Sequence, residues 1–91
     1  MKIVIHWTWS SIGHIARHGV RAKEVEQALK DRNVYLWRER HMNVPYLYCI
    51  GNTGERYLFI VLKYSKRYNR YIVKSARGAA EKEKKLYKRK K

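Results

Sequence analysis

From Val34 to Tyr64, small apolar side chains alternate with aromatic or polar ones through three successive extended segments, so the chain can only build a sheet whose two faces differ in chemistry. The segments are Val34 to Arg38, Tyr46 to Ile50 and Tyr57 to Tyr64, and a fourth, Arg70 to Lys74, is rich in β-branched and aromatic residues. Val34, Leu36, Leu47, Cys49, Leu58, Ile60 and Leu62 fall on one side, apolar enough to pack against helices. Tyr35, Trp37, Tyr46, Tyr48, Tyr57, Phe59 and Lys63 fall on the other. Gly51-Asn52-Thr53-Gly54 reads as the turn between the second and third segments, and Ser65 to Asn69 as the turn before the last, which makes neighbours antiparallel. Pro45 opens its strand, where a missing N–H costs little.

Helices flank these strands. After a first strand expected over residues 2 to 7, with Ile3, Ile5 and Trp7 on one side, Ser10 is placed to cap a short helix with Ile12, Ile15 and Ala16 as its apolar stripe. That helix closes at Gly19. A second helix, Ala22 to Lys30, buries Val25, Ala28 and Leu29, has Glu24 in its first turn, and pairs Glu26 with Lys30. The last stretch, Arg70 to Tyr87, reads as strand, turn and basic helix, with Ser75 as cap, Gly78 loosening the turn and the helix starting near Ala79. The expected order is therefore β-α-α-β-β-β-β-α. This is an α+β fold in one domain, residues 1–91, with an antiparallel sheet on a helical hairpin and a basic C-terminal helix or tail from about residue 82.

Charge narrows the partners. Lys and Arg number 22 against 7 Asp and Glu, a formal net charge of +15, and only part of that lies in the Lys-rich end. Such an excess calls for a polyanion, and an aromatic sheet face edged with cations suits unpaired bases and their phosphates. The aromatics are also ordinary strand residues, and the last helix is placed to cover some of them. No stretch joins a broad apolar helical face to the charge, so no membrane partner is expected. The lone cysteine, Cys49, forbids an internal disulfide and points to a reducing, cytoplasmic setting; the short IVI run is too brief for a leader or a span.

His18-Gly19-Val20, Glu24-Val25, Arg56-Tyr57-Leu58 and Ser75-Ala76-Arg77 with Ala79, Glu83 and Tyr87 together resemble the BrnT-like toxins of the RelE superfamily, and the similarity runs from His14 to Tyr87. The chain departs from that pattern at Glu55, where Gly is frequent, and near Ser10 and Ser11, where a lysine is usual. The resemblance implies a type II toxin, an endoribonuclease that arrests translation and is neutralised by a DNA-binding antitoxin. It carries candidate function onto Arg77, Glu83 and Tyr87, and further onto His18 and Arg56.

Metal-independent RNA cleavage needs activation of the 2′-hydroxyl, stabilisation of charge at phosphorus and protonation of the leaving oxygen. Arg77 and Arg70 are the cationic candidates; Glu83 or a histidine is the acceptor; Tyr87, His18 or a lysine is the donor. Arg56, Arg70, Lys63, Lys74, Tyr48 and Tyr57 are the candidate RNA-binding residues. Each has a plainer alternative: Arg77 and Glu83 as a salt bridge pinning the last helix, Tyr87 as core, His18 as a helix-end cap. His14 and His18 are four apart, with no evident third ligand, so neither a metal nor another cofactor is expected. The other functional class open to the sequence is a non-catalytic RNA- or DNA-binding protein.

Overall fold

A computed structural model describes residues 3–89. The described residues form α1 (Trp9–Ala16), α2 (Ala22–Leu29), β1 (Tyr35–His41), β2 (Val44–Asn52), β3 (Tyr57–Ser65), β4 (Arg70–Gly78) and α3 (Glu81–Arg89). The strands form one antiparallel sheet in chain order, β1-β2-β3-β4. The α+β class and the four-stranded antiparallel sheet are as expected. The first strand is not: Ile5 makes a single parallel bridge to Tyr71, closed by His6 N–H to the Tyr71 carbonyl (2.8 Å) and Tyr71 N–H to the Val4 carbonyl (2.9 Å). Residue 2 of that expected strand lies outside the described residues.

Alternation separates the sheet faces as the sequence requires. Leu47, Cys49, Leu58, Ile60 and Leu62 are buried with Ile15, Val20, Val25 and Ala28 of the helical hairpin; Val34 and Leu36 pack at the margin. Each fully buried aliphatic contributes about 1.5–3 kcal/mol. Cys49 is in the middle of this layer, and burial pushes its thiol up to about 12, so it serves as an inert apolar filler. Gly51 marks the closest approach of α2 to the sheet, since a Cβ there would meet the Ala28 carbonyl oxygen at 2.2 Å. It is therefore a buried strand residue rather than the turn residue expected from sequence. The turn is two residues on, closed by Thr53 N–H to the Arg56 carbonyl (2.9 Å), with Gly54 at φ +102°.

Helix ends also depart from expectation. Thr8, not Ser10, caps α1: its hydroxyl accepts the Ser11 N–H (3.0 Å) while the Ser11 hydroxyl accepts the Thr8 N–H (3.1 Å). Ser11 and Ile15 form the buried stripe and Ala16 is exposed. Gly19 takes the left-handed closing position, φ +71°. In α2, Glu26 accepts the Trp7 indole N–H at 2.9 Å rather than pairing with Lys30.

β4 runs past Ser75 to Gly78 because it contains a bulge. Leu62 faces Val73 and Val61 faces Ser75, which leaves Lys74 without a cross-strand partner. Val73 and Ala76, three apart, thereby both enter the core. The same phase shift puts Arg77 opposite Phe59 on the aromatic face. Four residues later α3 begins and lies across that face, over Trp37, Tyr48 and Phe59.

Candidate functional site

Arg77 is fixed from three directions. Its guanidinium stands 4.5 Å above the Phe59 ring, Nη1 and Nη2 donate to Glu83 Oε1 (2.9 Å) and Oε2 (2.7 Å), and Nη1 also donates to the Gly78 carbonyl (3.1 Å). Glu83 is buried and takes a further bond, from the Ala80 N–H at 2.7 Å, so it caps α3 while holding Arg77. Burial raises the Glu83 pKa, but Arg77 and the Ala80 N–H outweigh it and hold the carboxyl below its ordinary range; the same contact raises that of Arg77. In this state Glu83 is ionised, takes three donated bonds and is a weak proton acceptor. The Arg77 side chain remains 40% exposed.

Tyr87, one turn further along α3, donates its hydroxyl to Asp31 Oδ2 at 2.6 Å. Asp31 also accepts the Asn52 N–H on Oδ2 and the Asn33 N–H on Oδ1, both at 2.9 Å, and so joins the loop after α2, the end of β2 and α3. Burial, then the Asp31 carboxylate, pushes the Tyr87 phenol up to about 12. The three residues expected to converge are thus divided between two contacts, Arg77 with Glu83 and Tyr87 with Asp31. His18 is exposed in the turn after α1, its ring edge-on to His14 at 6.1 Å. Among the described residues it makes no hydrogen bond, ion pair or ring contact with Arg77, Glu83 or Tyr87.

Arg56 is held by the helical hairpin: Nη2 donates to Glu24 Oε1 and the Gly19 carbonyl (both 2.8 Å), and Nε to Glu24 Oε2 (3.1 Å). Those bonds keep the Glu24 carboxyl below its ordinary range. Tyr57 has the Lys88 ammonium 5.7 Å from its ring centroid and Tyr87 edge-on at 5.1 Å. Lys63 and Lys74 line a groove of about 350 Å³ toward the β3–β4 turn, and Arg70 faces Ser65 at that end. Most residues behind the sequence resemblance therefore touch one another or the fold: Gly19 and Glu24 with Arg56, Arg77 with Glu83, Tyr87 with Asp31.

Tyr48 belongs to a different feature. It stacks on Trp37 at 5.3 Å and 14°, with Phe59 tilted 5.9 Å away, and these rings floor a cleft of about 580 Å³. Lys82, Lys85, Leu86 and Arg89 of α3 form one wall, and Glu39 of β1 lies at the other side. Sequence reasoning passed over Glu39 and these three cations individually. Their signal was present, because positions 82, 85, 86 and 89 share one helix face. Lys90 and Lys91, the end of the expected tail, lie outside the described residues.

Fold and cleft together define a strongly basic α+β protein whose sheet carries an aromatic floor beneath a cationic helix. No protein-family model matches the chain, and no curated protein matches it.

Proposed function

We propose that the protein engages single-stranded RNA in the cleft between the sheet and α3, and that it does so as the toxin of a type II toxin–antitoxin pair with a RelE-like fold, cutting the strand without a metal. The observation that carries the RNA reading is the cleft itself: stacked rings below for bases, and Lys82, Lys85 and Arg89 alongside for phosphates. The finer reading, endoribonuclease and toxin with a DNA-binding antitoxin as partner, rests on the resemblance and on Arg77 near the same floor.

The Arg77–Glu83 pair suggests how cleavage proceeds. A phosphate that takes over the Arg77 guanidinium removes the largest influence holding the Glu83 pKa down and, with the Ala80 N–H still in place, leaves burial, which raises it, less opposed. Arg77 then stabilises charge at phosphorus while Glu83 becomes a better acceptor for the 2′-hydroxyl proton; the 2′-oxygen bonds to phosphorus as the bond to the 5′-oxygen breaks, and that oxygen takes its proton from a lysine of the cleft wall, Lys82 or Lys85. A second reading, a non-catalytic RNA binder, is favoured by the bidentate pairing of Arg77 and the anchoring of Tyr87, which are what purely structural residues would show.

Labelled single-stranded RNA incubated with the protein in EDTA separates the two. Fragments ending in 2′,3′-cyclic phosphate, produced by wild type and reduced at least about 100-fold in a folded Arg77→Lys variant, are the expected result. Intact RNA that still shifts on a gel selects the binder, and RNA that neither breaks nor shifts rejects both readings.

A further inference from the structure

Acidic side chains are scarce in this chain, and most have a structural duty. Glu24 holds Arg56, Glu26 accepts the Trp7 indole, Asp31 accepts Tyr87, Glu81 pairs with Lys84, and Glu83 pairs with Arg77. Glu55 is exposed in the β2–β3 turn. Glu39 is the exception in place. It lies in the aromatic cleft, where its one hydrogen bond among the described residues is a long one, from the Trp37 indole N–H to Oε1 at 3.3 Å. No cation is within ion-pair distance of it among the described residues.

A carboxylate here works against RNA binding unless it makes a contact of its own, because it faces a polyanion from inside the site that receives it. A base set against the Trp37–Tyr48 ring stack supplies that contact through its edge. An ionised carboxylate is an acceptor only, with two oxygens side by side. Among the four RNA bases, guanine alone offers two adjacent N–H donors on its Watson–Crick edge, N1–H and the N2 amine. Adenine and cytosine place a ring acceptor beside their amine, and uracil places carbonyls on both sides of its single N–H.

We infer that Glu39 is a specificity-determining residue and that the cleft between the β1–β3 part of the sheet and α3 is a guanine site, the base set against the Trp37–Tyr48 ring stack with its N1–H and N2 amine donated to the Glu39 carboxylate. This rests on the reading that the cleft binds RNA. The indole bond draws one carboxylate oxygen to the Trp37 side of the cleft. Lys82, Lys85 and Arg89 are left for the phosphates on either side of the base.

The test is fluorescence anisotropy with the full chain and short single-stranded 2′-O-methyl RNAs of uridine carrying one central guanosine, inosine or uridine, which lack the 2′-hydroxyl nucleophile and stay uncut. Wild type is expected to prefer guanosine by about tenfold or more, inosine losing most of the gain for want of the N2 amine. Glu39→Gln is nearly isosteric and exposed, so its folding is checked by the melting temperature alone. It is expected to lose the guanosine preference and to bind the all-uridine strand at least as tightly as wild type, a charge having been removed. Equal binding of all three RNAs by wild type overturns the guanine site while leaving the RNA reading intact. A guanosine preference that survives Glu39→Gln overturns the role of Glu39. Failure of every RNA to bind removes the RNA reading itself, and this inference with it.

Discussion

Asp31 and Tyr87 show how one hydrogen bond ties distant parts of this chain together. Their 2.6 Å contact anchors the C-terminal half of α3, as the Glu83 pair anchors its start. Replacing Tyr87 by Phe keeps the ring against Tyr57 and removes only the hydroxyl, leaving a partly buried carboxylate one donor short. The expected cost is about 1.5–3 kcal/mol, measured by urea unfolding. The pH dependence has a definite sign. The folded phenol is raised to about 12 whereas an unfolded tyrosine titrates near 10, so its contribution is complete below pH ~10 and is lost as pH rises through the folded value. Tyr87→Phe should lack that alkaline loss; an identical alkaline profile in the two proteins would show that the bond does not form in solution.

Among the elements, packing between α2 and β2 is set by the missing side chain of Gly51. A methyl group there meets backbone, the Ala28 carbonyl, which cannot move without shifting the helix. Gly51→Ala should destabilise by about 3 kcal/mol, seen as a lower denaturation midpoint with little change in slope; a near-neutral result would mean that α2 rides further from the sheet. This close approach was hidden in the sequence, where GNTG looks like a turn and half of it is strand. The bulge was hidden for a related reason. Alternation in β4 breaks at Lys74, and a break in period looks the same in sequence whether the strand ends or inserts one unpaired residue. Ser75 consequently looked like a helix cap. By contrast, the core face from Leu36 to Leu62 was legible residue by residue, since period-two patterning depends on nothing beyond the strand itself. The candidate site was legible in part. The aromatic row, Arg77 and Glu83 stand out by type and spacing, whereas Glu39 acquires meaning only when α3 is seen to close a cleft beside it. Thr8 was missed as a cap because Ser10 competed for the same role, and only the reciprocal Ser11 bond decides between them.

At the scale of the whole molecule, the formal charge of +15 makes any RNA complex sensitive to salt. If Lys82, Lys85 and Arg89 meet the strand together with Lys63 and Lys74, log K should fall against log salt with a slope of about −3.5. Removing Lys82 and Lys85 together should reduce the magnitude of that slope by about 1.4, as measured by anisotropy titrations over a range of salt concentrations. An unchanged slope would place the strand elsewhere on the protein.

Strand order that repeats chain order has a kinetic consequence. Each strand of the sheet finds its partner in the next segment, so the three hairpins can zip together through short loops, and little entropy is lost at each closure. The bridge from Ile5 to Tyr71 and the packing of α1 against β4 instead close nearly the whole chain on itself. Those contacts wait for a sheet to dock on, which makes the joining of the first residues to the last strand the late event of folding and the first to be undone.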